Sequence, residues 1–371
     1  MEKENWFEVK EVKKIDSPAL LIFPKRVKAN IQTAIDMVGN VDRLRPHVKT
    51  HKSPNVAKLM IDAGITKFKC ATIAEAEMLA QCRANDVLLA YQPSGPKLQR
   101  FISLIKTYPQ TNFSCLTDNI DAAKEQSLEF QKNDISVPVY IDLNVGMNRT
   151  GICADDRALE LYKLCSTFKG IKLLGLHAYD GHLRDRDFNA RRQKCDEAFS
   201  LVEKLRDQII NAGLPKPKII AGGSPSFSIH CNRDAVECSP GTFIYWDKGY
   251  LDLCPEQNFL PAAVLLTRVI SLPSPNRICT DLGHKSVAPE NEITRRVFFL
   301  NASGLTPVGQ SEEHLVLEIG DGKNYKVGDI FYGLPIHVCP TIALYERATT
   351  IEDGKVTGVW KNIARDRVIT I

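Results

Sequence analysis

The chain has 371 residues, a net charge of +4, 44% hydrophobic and 25% charged residues. That length holds two domains, or one large domain with an appendage. The small, interspersed charge leaves no basic block of the kind that tracks nucleic acid, and no run of about 18 apolar residues spans a membrane. The N-terminus, "MEKENWFEVKEVKK", is polar and lacks the apolar core of a signal peptide. Eleven cysteines are scattered without a CxxC pair, several in apolar settings such as "FKCAT" and "GICA". They read as reduced, buried thiols of a cytoplasmic protein.

From about residue 17 to 245, apolar strand-type runs alternate with helical patterns. "PALLIF" precedes "RVKANIQTAIDMV", "ITKFKCAT" precedes "IAEAEMLAQC", and "DVLLAY" precedes "PKLQRFISLIKTY". "NFSCLT" leads into "NIDAAKEQSLEFQ", and "VPVYIDL" into "RALELYKLCSTF". "IKLLGLHAY" precedes the long "RDFNARRQKCDEAFSLVEKLRDQIINAG"; "PKIIAGGS" and "AVECSPGTF" close the series. About eight such units predict an α/β fold with a (β/α)₈ TIM-type barrel over residues 17–255. An open, doubly wound sheet is the competing arrangement.

Beyond residue 256 the rhythm becomes strand after strand, from "AAVLLTRVISL" through "RICTDLG", "RRVFFLN", "HLVLEIG", "DIFYGLPIHVC" and "TIALYERATTI" to "GKVTGVWKNIA". Gly, Pro and Asn separate them. Residues 256–371 therefore read as a second, mainly antiparallel β-domain, to which residues 1–16 add a strand through "WFEVKEV".

Chemistry-bearing residues gather at predicted strand ends. In "RPHVKTHK", Lys49 follows the short strand "LRPHV" and precedes a helix with Ser53 as N-cap and Pro54 as first residue. That position is a barrel mouth, where a lysine beside other cations becomes a Schiff-base nucleophile. The competing reading makes Arg45, Lys49 and Lys52 solvated loop charges. "IDLNVGMNRTG" leaves its strand with Asp142, Asn144 and Arg149; the arginine either meets an anionic oxygen or faces water. "GLHAYDGH" places His177 and Tyr179 on one strand face, with His182 beyond, so that a ring can stack on an aromatic ligand. "AGGSPSFSIH", with Gly222, Gly223 and Ser224, and "SPGTFIYWD", with Gly241 and Thr242, follow the last two barrel strands. Barrels often bind phosphate there. In "GLPIHVCPT", His337 and Cys339 stand at i and i+2 of an expected strand. Imidazole and thiolate suit Zn²⁺, and two protein ligands leave room for substrate; packing is the alternative.

Together, "LRPHVKTHK", "KFKCATIAEAEMLA", "DVLLAY", "IDLNVGMNRTG", "GLHAYDGH", "GGSPSF", "SPGTFIYWD" and "LPIHVCPT" resemble the D-threonine aldolase and D-serine dehydratase group of the alanine-racemase-like, fold-type III pyridoxal-phosphate enzymes. The resemblance implies a barrel, a C-terminal β-domain and a homodimer. It implies that Lys49 carries pyridoxal 5'-phosphate and that Gly222, Gly223, Ser224, Gly241 and Thr242 cradle its phosphate. Arg149, Tyr179 and Tyr245 would surround the ring. His337 and Cys339 would hold a divalent metal, Zn or Mn. The implied substrate is a D-3-hydroxy amino acid, with aldol cleavage and dehydration as alternative outcomes. An amino-acid racemase or a non-catalytic pyridoxal-phosphate carrier are the further readings.

Overall fold

The computed structural model describes residues 5–302, 304–320 and 324–371. The β-domain expected from residues 1–16 and 256–371 thus includes residues 1–4, 303 and 321–323, which lie outside the described residues. The chain forms two compact units. One contains Thr33–Lys49, Ala57–Gly241 and Asp366–Ile371; the other contains Met1–Gln32, Thr50–Val56 and Thr242–Arg365.

The first unit is built on parallel strands. In order across the sheet they are Lys67–Cys70, Asp86–Leu89, Asn112–Thr117, Val137–Asn144, Ile171–Ala178, Lys218–Ala221 and Val236–Cys238. The segment 44–47 closes the ring through parallel bridges of Leu44 to Cys238 and His47 to Lys69. The Arg45 N–H donates to the Cys238 carbonyl at 2.9 Å, and the Lys69 N–H to the Pro46 carbonyl at 2.8 Å. Seven strands and this segment make the eight staves of a (β/α)₈ barrel. Their apolar runs are buried on both faces, as parallel sheets covered by helices require.

Polar residues start the covering helices. Thr72 Oγ1 accepts from the Glu75 N–H at 3.1 Å to open Ile73–Gln81. Asp187 Oδ1 accepts from Ala190 at 2.7 Å to open Phe188–Asn211. That helix buries Cys195, Phe199, Val202, Leu205 and Ile209, an apolar stripe at helical spacing. Burying each large aliphatic side chain contributes roughly 1.5–3 kcal/mol.

Arg45 is no solvated charge. It is 1% exposed and bonds Asp86 at 2.5 Å and Glu237 at 2.7 Å. The two carboxylates share this buried cation, and only removing both would strand it, at a cost of about 3–5 kcal/mol.

The second unit carries a mixed sheet in the order Leu305–Gln310, Leu315–Ile319, Arg277–Thr280, Ala263–Ser274, Ala19–Ile22, Arg347–Glu352 and Lys355–Lys361. Ile330–Pro335 also pairs with Ala263–Ser274 and carries Val297–Phe299. All pairs are antiparallel except Ala19–Ile22 with Arg347–Glu352.

Four expectations are corrected here. "PALLIF" is not a barrel stave. Its strand pairs antiparallel with Ala263–Ser274, and "LRPHV" takes the barrel position. An apolar run of that length reads the same in either sheet. "WFEVKEV" forms no strand; Phe7, Val9 and Ile15 instead pack on Leu21, Phe23, Val264 and Leu266. The strand Leu305–Gln310 was not anticipated, because Pro307 and Gly309 interrupt its alternation. "TIAL" belongs to the helix Val338–Leu344, so Cys339 is helical and His337 is the residue before the helix. Pro340 fits that first turn, where its missing N–H has no intrahelical role.

None of the eleven cysteines is placed in a disulfide, and nine are buried. Among the described residues no helix is long and apolar enough to cross a membrane.

Candidate functional site

In the barrel unit, Lys49 lies in the 3-10 turn Val48–Thr50, directly after the closing segment 44–47. Its N–H donates to His47 Nδ1 at 3.2 Å, so that imidazole orients the backbone of the turn. Pro54 does begin the next helix, but Ser53 Oγ is buried without a hydrogen-bond partner among the described residues and does not cap it.

Three cationic groups surround the Tyr179 ring. Lys49 Nζ is 5.8 Å from its centroid, Lys69 Nζ 5.5 Å and Arg149 Cζ 4.9 Å. Lys69 is 2% exposed, and its amine lies 3.4 Å from His177 Nε2. His177 Nδ1 is 2.7 Å from Asp142 Oδ1. A carboxylate only accepts, so Nδ1 bears the hydrogen and Nε2 accepts from Lys69. Burial first, and then the charge of Lys49, pull the Lys69 amine down to about 7. Burial and Lys69 likewise lower the His177 imidazole, against the pull of Asp142.

The glycine-rich loops sit in the same unit. Gly222 has φ +80°, in the left-handed region, and a Cβ there would come 2.7 Å from His230 Cδ2. A Cβ on Gly223 would come 2.8 Å from Tyr179 Cε2. Ser224 Oγ accepts from the Gly241 N–H at 3.3 Å, so the loops after the last two staves meet. Ser239 Oγ is buried and has no hydrogen-bond partner among the described residues.

An aromatic face ringed by cations, two loop glycines packed too closely on His230 and Tyr179 to admit a Cβ, and an orphaned buried hydroxyl fit a phosphorylated aromatic aldehyde. Lys69 escaped the sequence reading. Its signal was a lysine at an inward position of the apolar strand "KFKC".

The second unit holds the remaining candidates. Thr50 Oγ1 is 3.1 Å and Thr242 Oγ1 3.7 Å from Cys339 Sγ. His337 Nδ1 meets Glu290 Oε1 at 2.5 Å. The carboxylate holds the hydrogen on Nδ1, the usual arrangement behind a metal-bound histidine, and Nε2 would serve a cation on giving up its own proton. Burial pulls the imidazole down, but Cys339, Asp247 and Glu290 outweigh it and raise it to about 9. The donor set of imidazole and thiol, backed by a carboxylate, fits a divalent cation. Tyr245 is 1% exposed, and burial holds its phenol above the usual range.

A further cluster was not foreseen. Asp180, Cys195 and His230, all buried in the barrel unit, bring donor atoms within 4.8 Å of one another.

Comparison with known sequences then defines the class. The model of the family described as alanine racemase, N-terminal domain, matches residues 22–248, and one for a serine dehydratase domain matches residues 262–351. The chain belongs to the alanine racemase N-terminal domain family, as its motifs imply.

Among its relatives along nearly the whole length are proteins named as aldolases. A D-threonine aldolase of Arthrobacter sp. is 25% identical over 95% of this chain and 93% of its own. A 3-hydroxy-D-aspartate aldolase of Paracoccus denitrificans (strain Pd 1222) is 26% identical at the same coverage. The crystal structure of D-threonine aldolase from Filomicrobium marinum superposes with a TM-score of 0.88 over 100% of both chains at 23% identity, a shared fold.

Proposed function

We propose that this chain is a pyridoxal-phosphate- and divalent-metal-dependent lyase for D-3-hydroxy amino acids, of the D-threonine aldolase type. The observation that carries this reading is the arrangement of Lys49, Arg149 and Gly223 around the Tyr179 ring. The similarity to full-length aldolases supports it.

Lys49 would hold the cofactor through its amine. Gly222, Gly223, Ser224 and Gly241 would receive its phosphate, with Thr242 and Tyr245 as further cofactor contacts. Bound pyridoxal phosphate supplies an electron sink for the pair left on the substrate's Cα. Tyr179 offers the ring with a flat face, and Arg149 offers a cation to an anionic oxygen. A divalent cation on His337 and Cys339 would supply Lewis acidity toward the substrate's β-hydroxyl.

Aldol cleavage breaks Cα–Cβ and the β O–H bond as the aldehyde C=O forms, and a proton returned to Cα completes glycine, so that D-threonine gives glycine and acetaldehyde. Dehydration is the second reading, favoured by the serine dehydratase match over residues 262–351. Lys49 would then take the α-proton as the β-hydroxyl leaves, protonated, as water, and hydrolysis of the released enamine by one water gives pyruvate and ammonia from D-serine.

Incubation with D-threonine and D-serine separately, assaying glycine against 2-oxobutanoate and pyruvate, tests the choice. Glycine is expected; oxo acids alone would select the dehydratase. Racemisation without either product, undisturbed by chelators, would overturn both. A homodimer is expected by light scattering.

A further inference from the structure

The Asp180 cluster has the donor types of a metal site, yet its lone pairs are committed. Asp180 Oδ1 accepts from Ser226 Oγ at 2.6 Å. Asp180 Oδ2 is 2.7 Å from His230 Nε2 and 3.6 Å from Cys195 Sγ. The Arg233 guanidinium donates to His230 Nδ1 at 2.8 Å, so Nδ1 is the ring's acceptor and Nε2 carries its hydrogen. The same guanidinium is 3.9 Å from Cys195 Sγ, where its charge opposes a second cation. Burial also pushes the Cys195 thiol up to about 12, away from the thiolate a metal needs. These contacts describe a closed hydrogen-bond network.

The network ends on the glycine loop. Ser226 Oγ, whose hydrogen goes to Asp180, accepts the Gly223 N–H at 3.2 Å. Gly223 leaves no room for a Cβ beside the Tyr179 ring, and Gly222 leaves none beside His230. Asp180 is also the residue after Tyr179, so one carboxylate ties the end of one stave to the loop after the next. We propose that Asp180 and Ser226 are positioning residues that hold the Gly222–Gly223 loop against Tyr179, and so set the affinity of the site for the phosphate of its ligand. The proposal rests on the cofactor reading above.

Neither residue is interchangeable with its near neighbours. Asn at 180 would set an amide N–H₂ against Ser226 or His230, both donors here, leaving a buried donor unpaired. Ala at 226 would remove the atom that carries Asp180's hold to Gly223.

Full-length protein freed of cofactor is titrated with pyridoxal phosphate and, separately, with pyridoxal. Adducts are fixed with borohydride and mapped by mass spectrometry. In Ser226→Ala and Asp180→Asn, the Kd for pyridoxal phosphate should rise at least tenfold, while that for pyridoxal stays within twofold. Ser226→Ala, the milder change, carries the test if Asp180→Asn does not fold.

Equal weakening of both compounds would make the network merely structural and overturn the proposal. Unchanged affinities with normal labelling of Lys49 would overturn the positioning role alone. Wild-type protein that labels on no lysine with either compound would overturn the cofactor reading and this proposal with it. One equivalent of zinc lost in Asp180→Asn, yet kept in Cys339→Ala, would overturn the hydrogen-bond account.

Discussion

Beneath and beside Tyr179, the side chains of Asp142, His177, Asp180, Ser226 and His230 are buried, and each meets a partner. His337 in the other unit is 43% exposed at its side chain, and its fixed partner is the equally exposed Glu290. The two constellations are built for different occupants. A saturated, buried network has one arrangement, which suits a rigid ligand bound in one pose. A half-exposed imidazole beside a thiol keeps a donor atom reachable, which suits an ion that exchanges.

The comparison breaks first at Lys49. Lys49→Ala should lower kcat/KM by roughly 10³-fold or more, the scale of a lost nucleophile or base. In the wild type, borohydride should fix the cofactor on the Lys49 peptide. An adduct on Lys52, or on the buried Lys69, would move the site.

The exchangeable half is tested by metal removal. Exhaustive chelation, or Cys339→Ala, should cut turnover about 100-fold while the cofactor's absorbance persists, a loss of the size seen when metal shells are damaged. Zn²⁺ or Mn²⁺ should restore the chelated protein. Full activity with no metal by elemental analysis would reduce His337 and Cys339 to packing.

Lys69 sharpens the buried half. Its folded value of about 7 lies below the ordinary lysine value of about 10.4 in the unfolded chain. Between these pH values the unfolded state binds the extra proton, so wild-type stability should rise as pH climbs. Lys69→Met should stabilise the protein by about 2 kcal/mol at pH 7, because a buried charge is replaced by apolar volume. That gain should shrink toward pH 10. Urea unfolding at both ends of the window measures it, and a pH-independent difference would mean Lys69 folds already paired.

The smallest effect belongs to the cradle. Gly223→Val should raise the cofactor Kd about tenfold, since its Cβ would fall 2.8 Å from Tyr179 Cε2 and the ring must shift. Unchanged affinity in a folded variant would remove Gly223 from the site.

Much of this was legible in the chain itself. Alternating apolar runs and helical patterns carried the barrel and its helices, because a covered parallel strand must be apolar on both faces. "LRPHV" before Lys49, and the glycines after "PKII", marked strand ends without any coordinates. Period alone does not say which sheet a run joins, so "PALLIF" was placed in the barrel when it pairs with Ala263–Ser274. The His337–Cys339 pair showed the same limit, since "HVCP" in a row of strands is short enough to be either strand or first helical turn.

By itself, the sequence determined the class of fold, the order of its elements and the residue types at each strand end, all consequences of local periodicity and turn chemistry. Tertiary structure decided which of those residues meet. Lys69 and His177 are 108 positions apart, and Asp180 and His230 are 50. Only closure of the staves through residues 44–47 makes the barrel interior, and only that burial turns a lysine, a histidine and an aspartate from ordinary strand residues into coupled ones.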